Sequence, residues 1–275
     1  RGAIPRVLFS IGIGSVSSTI AEVLGLSARS VGLSTQCSSG LDALGQATRL
    51  IADGEVDMAV CGGSEAPLHK FPLVELRAAD LTPSTAEMPE RIARPFDLWR
   101  TTGVVSEGAC MFVLEAEESP RSGYSYISGY CGANDPADDL CGGMYDAGRM
   151  AMAEARVRPS QMEAINAWGP GHNEVDRGEV RAMARLFGPV LKEIPAVSIK
   201  GAIGTPLGAA PAIQVGSAAL AQRFSMIPPT VNWDFPDPSC GLNLSNRCRA
   251  LSHATTLVNA HGLGAVNSCM VLQRC

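Results

Sequence analysis

Ser34-Thr35-Gln36-Cys37-Ser38-Ser39-Gly40 places a thiol between a short apolar run, Val31 to Leu33, and a helical pattern of Leu41, Ala43, Leu44, Ala47, Leu50 and Ile51. Strand, cysteine, helix is an order in which backbone N–H groups and the helix dipole favour negative charge on sulfur. It predicts a thiolate nucleophile near neutral pH without a metal. The same residues also suit a small buried cysteine packing as a hydrophobe. Spacing alone leaves both readings open.

Periodicity gives the elements that must hold this cysteine. Residues 15–25 read as a helix closed by Gly25, Val31–Ser34 as a strand, and residues 38–53 as a helix ending at Asp53-Gly54. Val56–Cys61 reads as a buried strand before Gly62-Gly63. Pro67, Pro72, Pro83, Pro89 and Pro95 predict a loop-rich stretch over residues 64–100. Ala109–Glu115 and residues 124–131 follow as strands. Helices are expected at Met144–Arg156, Glu174–Phe187 and Pro206–Gln222, and strands at Ala164–Ala167, Val197–Ile199, Ala254–Asn259 and Ser268–Leu272. Alternating strands and helices predict an α/β layered fold with buried sheets. Small residues surround helix Pro206–Gln222 on nearly every side, which places it between sheets.

Composition narrows the chemistry. The chain has 275 residues, 46% of them hydrophobic, with 29 glycines and a formal net charge of -5. No Lys/Arg run marks a nucleic-acid surface, and no apolar stretch of membrane-spanning length occurs. Nine cysteines without a CxxC pair or metal-ligand spacing read as reduced thiols of a cytoplasmic protein, with no metal site. Arg177, Arg181 and Arg185 fall at helical spacing; they read as a solvated helix face or as a dock for an acidic carrier protein. The opening at Arg1 reads as the middle of a longer fold.

Taken together, these segments resemble the β-ketoacyl synthases of the thiolase fold. Ser34–Gly40 is similar to the nucleophile motif of that family, and Cys61-Gly62-Gly63-Ser64-Glu65-Ala66 to the strand and turn after its nucleophile helix. Arg94-Pro95-Phe96-Asp97 and Ser106-Glu107-Gly108-Ala109 are further landmarks. So are the Asn166-to-Glu179 loop, Ser198-Ile199-Lys200, Ile227-Pro228-Pro229-Thr230-Val231-Asn232, and Gly262-Leu263-Gly264 with Asn267. The resemblance implies a thiolase-like αβαβα layered fold. The opening part of its N-terminal half would be absent from this chain. Residues 1–117 would be the remainder of that half, carrying the Cys37 helix, and residues 118–275 the C-terminal half.

A condensing synthase of this kind needs a thiolate, two imidazoles that stabilise the enolate left by malonyl decarboxylation, and a backbone oxyanion hole. Cys37 is present. Both histidines are replaced: Trp168 stands in Asn166-Ala167-Trp168-Gly169 and Thr205 in Gly204-Thr205. The resemblance makes Lys200 and Glu107 supporting residues and puts Gly262, Leu263 and Gly264 at the substrate, with the Leu263 N–H in the oxyanion hole. His261, or less readily His172, is the candidate substitute base. No cofactor is implied beyond the phosphopantetheine arm of an acyl carrier protein, which delivers the substrate. The implied partners are that carrier and an active ketosynthase homologue, or a second copy, as a dimer.

Two functions follow. The first is a chain-length-factor-like subunit that completes a dimer and shapes the tunnel for the growing chain. Loss of both histidines and the proline in Gly208-Ala209-Ala210-Pro211 lean that way. Cys37 is kept where chain-length factors often have glutamine. The second is a Cys37-dependent acyltransferase, moving an acyl group from a carrier thioester to an alcohol, amine or thiol.

Overall fold

The computed structural model describes residues 12, 14–83, 88–117 and 123–275. Residues 1–11, where the reading of the opening falls, and the first residues after the expected boundary at 117 lie outside these. In the first part, helix α1 (Ser15–Val23) precedes α2 (Ser39–Ala52), strand β1 (Met58–Glu65), α3 (Lys70–Ala78) and β2 (Gly108–Glu115). Then come β3 (Ser125–Asn134), α4 (Gly142–Glu154), β4 (Ala164–Asn166), α5 (Asn173–Phe187), β5 (Ala196–Val197), α6 (Lys200–Ile203) and α7 (Ala210–Phe224). The chain closes with β6 (Met226–Ile227), β7 (Arg249–Ala250), β8 (Thr255–Gly262) and β9 (Val266–Arg274).

Strands β8 and β9 are buried along nearly their whole length. A strand apolar on both faces belongs inside a layered fold. They form the middle of a five-stranded sheet ordered β3-β9-β8-β4-β5, antiparallel from β3 to β8 and parallel from β8 to β5. Helices α4 and α5 pack on one side; α2 and α7 lie on the other, and the antiparallel β1–β2 pair lies across α2 and α7. The described residues thus stack as strand pair, helices, sheet, helices. Helix α7 is sandwiched as its alanines predict, with Ala210, Ala212, Ala218, Ala219 and Ala221 buried.

Two expectations change. Val31–Ser34 is not a strand: the segment is irregular and exposed, and only an isolated bridge, Thr35 to Cys37, forms beside it. Extended backbone becomes a strand only when a neighbour satisfies its N–H and C=O groups, and no described strand lies alongside. Residues 64–100 are not all loop, because Lys70–Ala78 is helical. Pro72 sits in its first turn, where a missing N–H costs nothing.

Candidate active site

The nucleophile turn is held by hydroxyls. Ser39 Oγ donates to Gln36 O at 2.6 Å and accepts from Thr35 N at 2.9 Å. Gln36 adopts φ +57°, a left-handed conformation that a non-glycine residue keeps only under outside constraint. That constraint includes Asp42, one turn into α2 and buried. Its carboxylate accepts from Thr35 Oγ1, from Ser268 Oγ on β9, and from Tyr130 OH on β3 at 2.7 Å. The β8–β9 hairpin closes on the turn. A Cβ on Gly262 would lie 2.9 Å from Gln36 Cβ and 3.0 Å from Cys37 N, so only glycine permits this approach. The same approach lets the Leu263 N–H donate to Cys37.

Cys37 is half-buried, and burial pushes its thiol up to about 11. The Leu263 N–H pulls it down, Glu65 raises it and Lys200 lowers it, each less than burial does. This corrects the expected thiolate near neutral pH. Desolvation of the sulfur outweighs the favourable field at the start of α2.

Lys200 and Trp168 form the second pole. Trp168 is 3% exposed and Lys200 1% exposed. The Lys200 ammonium lies 3.8 Å from the centre of the Trp168 ring and donates to Gln214 Oε1 at 2.8 Å. Burial lowers Lys200 to about 7, against the attraction of Glu179, Asp176 and Cys37. The Trp168 backbone is fixed by Glu179 on α5, whose two oxygens accept from Trp168 N and Gly169 N, each at 2.8 Å. Gln214 on α7 binds Ala167 O at 2.9 Å through its amide nitrogen. Thr205 is buried with no partner for its Oγ1; its backbone N–H donates to Val104 O at 2.6 Å. Gly103 joins the two loops, since a Cβ there would lie 3.1 Å from Pro170 O and 3.7 Å from Thr205 Oγ1.

Other expected residues lie elsewhere. Glu107 is exposed and accepts from Leu68 N at 3.1 Å, so it braces a loop and is no partner of Lys200. His261 turns away from Cys37. Side chains alternate along a strand: Gly262 meets Cys37, and Ala260 pairs with Ser268, which bonds Asp42 of α2. His261 between them faces α4, where its Nδ1–H donates to Asn267 Oδ1 at 2.9 Å. The donor role follows because the Asn267 amide N–H groups are spent on Asp135 Oδ1 and Ala133 O. His261 is thus a packed sheet residue, not a base for Cys37. His172 starts α5 as a loop residue with its Nδ1 buried and unpartnered. None of the four histidines is among the groups that shift Cys37. Among the described residues no cluster of His, Cys, Asp or Glu is placed to hold a metal ion, and no helix is long and apolar enough to cross a membrane.

Sequence reasoning missed Asp42 and Gln214. Asp42 and Gln214 leave a signal: each is a lone polar residue within an apolar or alanine-rich helical stripe.

Two family models match the chain, the Beta-ketoacyl synthase N-terminal domain over residues 6–119 and the Beta-ketoacyl synthase C-terminal domain over residues 127–234. A tetracenomycin polyketide synthase ketoacyl synthase alpha subunit of Streptomyces glaucescens is 35% identical over 253 residues, covering 88% of this chain and 59% of that protein. Among solved structures, a type II acyl carrier protein in complex with its ketosynthase (AntDE:AntF, bound to the hexaketide) matches with a TM-score of 0.91 and 28% identity, over 97% of this chain and 68% of that one. The ishigamide ketosynthase/chain length factor matches with a TM-score of 0.88 and 28% identity, over 96% of this chain and 66% of that one. The thiolase-like layering expected from the sequence is the fold of these neighbours.

Proposed function

We propose, from the premise that this chain belongs to the β-ketoacyl synthase family, that it is a ketosynthase-like subunit without the condensing imidazole pair. It would act as a chain-length-factor-type partner of an active ketosynthase, in polyketide or fatty-acyl assembly on acyl carrier protein. The observation that carries this reading is the Trp168–Lys200 stack. A buried indole clamped on an ammonium stands where an imidazole would have to exchange hydrogen bonds with a malonyl thioester. Trp168 has an N–H to donate but cannot shuttle a proton, and the Thr205 hydroxyl is short. Each missing donor removes roughly 3–4 kcal/mol of transition-state stabilisation, so condensation by this chain alone should fall by orders of magnitude. A partner subunit needs none of that chemistry. The ishigamide ketosynthase/chain length factor supports the pairing by likeness.

The test is co-expression with an active ketosynthase of the same source. A stable complex that condenses malonyl units, with no loss on Cys37→Ala in this chain, is the expected result. Condensation by this chain alone at synthase rates would overturn it.

The kept thiol supports a second reading. Cys37 with the Leu263 N–H beside it is the minimum for an acyl-enzyme formed from a carrier thioester. Intact mass after incubation with an acylated carrier protein separates the two. An adduct lost in Cys37→Ala means acyl transfer, and no adduct leaves the partner role.

A further inference from the structure

Beside the Trp168 loop lies a cavity of about 350 Å³ lined by Phe96, Arg100, Arg177, Val180, Arg181 and Cys240. Its size is that of a small-molecule site. Phe96 separates it from the loop: a Cβ on Gly169 would lie 2.3 Å from the Phe96 ring. The cavity has an apolar floor and a cationic rim. Arg100 is 5% exposed, and its Nε–H has no hydrogen-bond acceptor; Asp176 Oδ2 is 3.6 Å away. A buried guanidinium N–H without an acceptor is costly. The other end of Arg100 is satisfied by Asp237 Oδ2 and Asp97 O, both at 2.7 Å. Arg181 is exposed, its hydrogen bond is to Leu140 O at 3.5 Å, and no carboxylate lies within ion-pair distance among the described residues. Arg177 pairs with Glu174 at 3.1 Å.

The carboxylates beside these arginines are Asp176, Asp237 and Glu174, and none of them lines the cavity. Against its burial, hydrogen bonds from Ser239 and Arg100 hold Asp237 down to about 2, so it is ionised and occupied. Burial pushes Asp176 up to about 7, despite the Phe96 N–H and Arg100, which lessens its hold on the Arg100 Nε–H.

We propose that this cavity binds a small organic anion, with its carboxylate or phosphate head on Arg181 and the Arg100 Nε–H and its apolar body against Phe96, Val180 and Cys240. Arginine forks suit such oxyanions. The site is separate from the Cys37 thiol and does not depend on the function proposed above. It meets the Trp168 loop only through Phe96, which packs on Gly169.

Calorimetric titration of the full chain with phenyl phosphate, benzoate and inorganic phosphate tests this. Either aryl anion should bind at least tenfold more tightly than inorganic phosphate, and which of the two binds identifies the head group. Arg181→Gln should weaken that binding about tenfold or more, Arg181→Lys less, and Arg185→Gln, on the same helix, not at all. Arg181 is exposed, so these variants should fold as the parent does, which thermal melts check. Arg100→Gln removes the buried donor. If it fails to fold, the Arg181 series still decides. No binding of either aryl anion, equal binding of inorganic phosphate, or binding unchanged in Arg181→Gln would overturn the proposal.

Discussion

The two poles of the site diverge. Around Cys37 the fold keeps all that a nucleophile turn requires: Gln36 in a left-handed conformation, Gly262 close enough for the Leu263 N–H to reach sulfur, and Asp42 tying three elements together. Around Trp168 the backbone is equally well held, by Glu179 and Gln214, but what it presents is a buried indole stacked on Lys200 and no imidazole. The backbone scaffold of a loop and the side chains it presents are thus separable. Buried hydrogen bonds that set a loop serve folding whatever the loop presents.

The largest effect should be on the sulfur itself. With its thiol near 11, Cys37 is about 0.01% thiolate at pH 7. Its alkylation by iodoacetamide, followed on the Cys37 peptide by mass spectrometry, should rise roughly tenfold per pH unit and about a thousandfold from pH 7 to 10. A plateau by pH 8 would show that the start of α2 controls the thiol after all, and would sharpen the contrast between the poles.

Next comes the scaffold of the Trp168 pole. Glu179→Ala strands the N–H groups of Trp168 and Gly169 and the Asn259 amide, and should cost about 3–5 kcal/mol in urea unfolding. A loss under about 1 kcal/mol would mean that the loop is held by something else. The matching change at the other pole is Gly262→Ala, which forces Gln36 or Cys37 to move and should cost about 1–3 kcal/mol. Cys37 alkylation should change with it. Unchanged alkylation would mean that the hairpin does not set the position of the thiol.

The sequence made much of this visible, for physical reasons. Helix α2 and the strands of the five-stranded sheet follow from apolar periodicity, which burial enforces. The five-layer expectation came from family resemblance, and the described residues supply four of those layers. Val31–Ser34 misled because apolar, extended residues look like a strand whether or not a partner is alongside. His261 misled because Gly262-Leu263-Gly264 puts it near the thiol in sequence, while a strand period of two sends its ring to the opposite face. The ionisation of Cys37 was out of reach, since desolvation depends on what packs over the sulfur, and that is contributed by β8–β9 more than two hundred residues away.

The smallest effect is the most informative about the Trp168 pole. Lys200→Met keeps volume and places a polarisable thioether against the indole. It removes the hydrogen bond to Gln214, worth about 1 kcal/mol, and also the cost of desolvating an ammonium. Burial lowers Lys200 from 10.5 to about 7 in the folded chain. Between those values the unfolded chain holds a proton that the folded chain does not, so this group makes stability rise with pH there. Its penalty is full below pH 7 and fades towards pH 10.5. Lys200→Met should therefore match or exceed the parent in stability at pH 6, and lose that advantage steadily from pH 7 to 9. A uniform loss at every pH would show the ammonium to be a net stabiliser, held by the indole and Glu179, and Lys200 would then be a structural cation instead of a buried charge that costs stability.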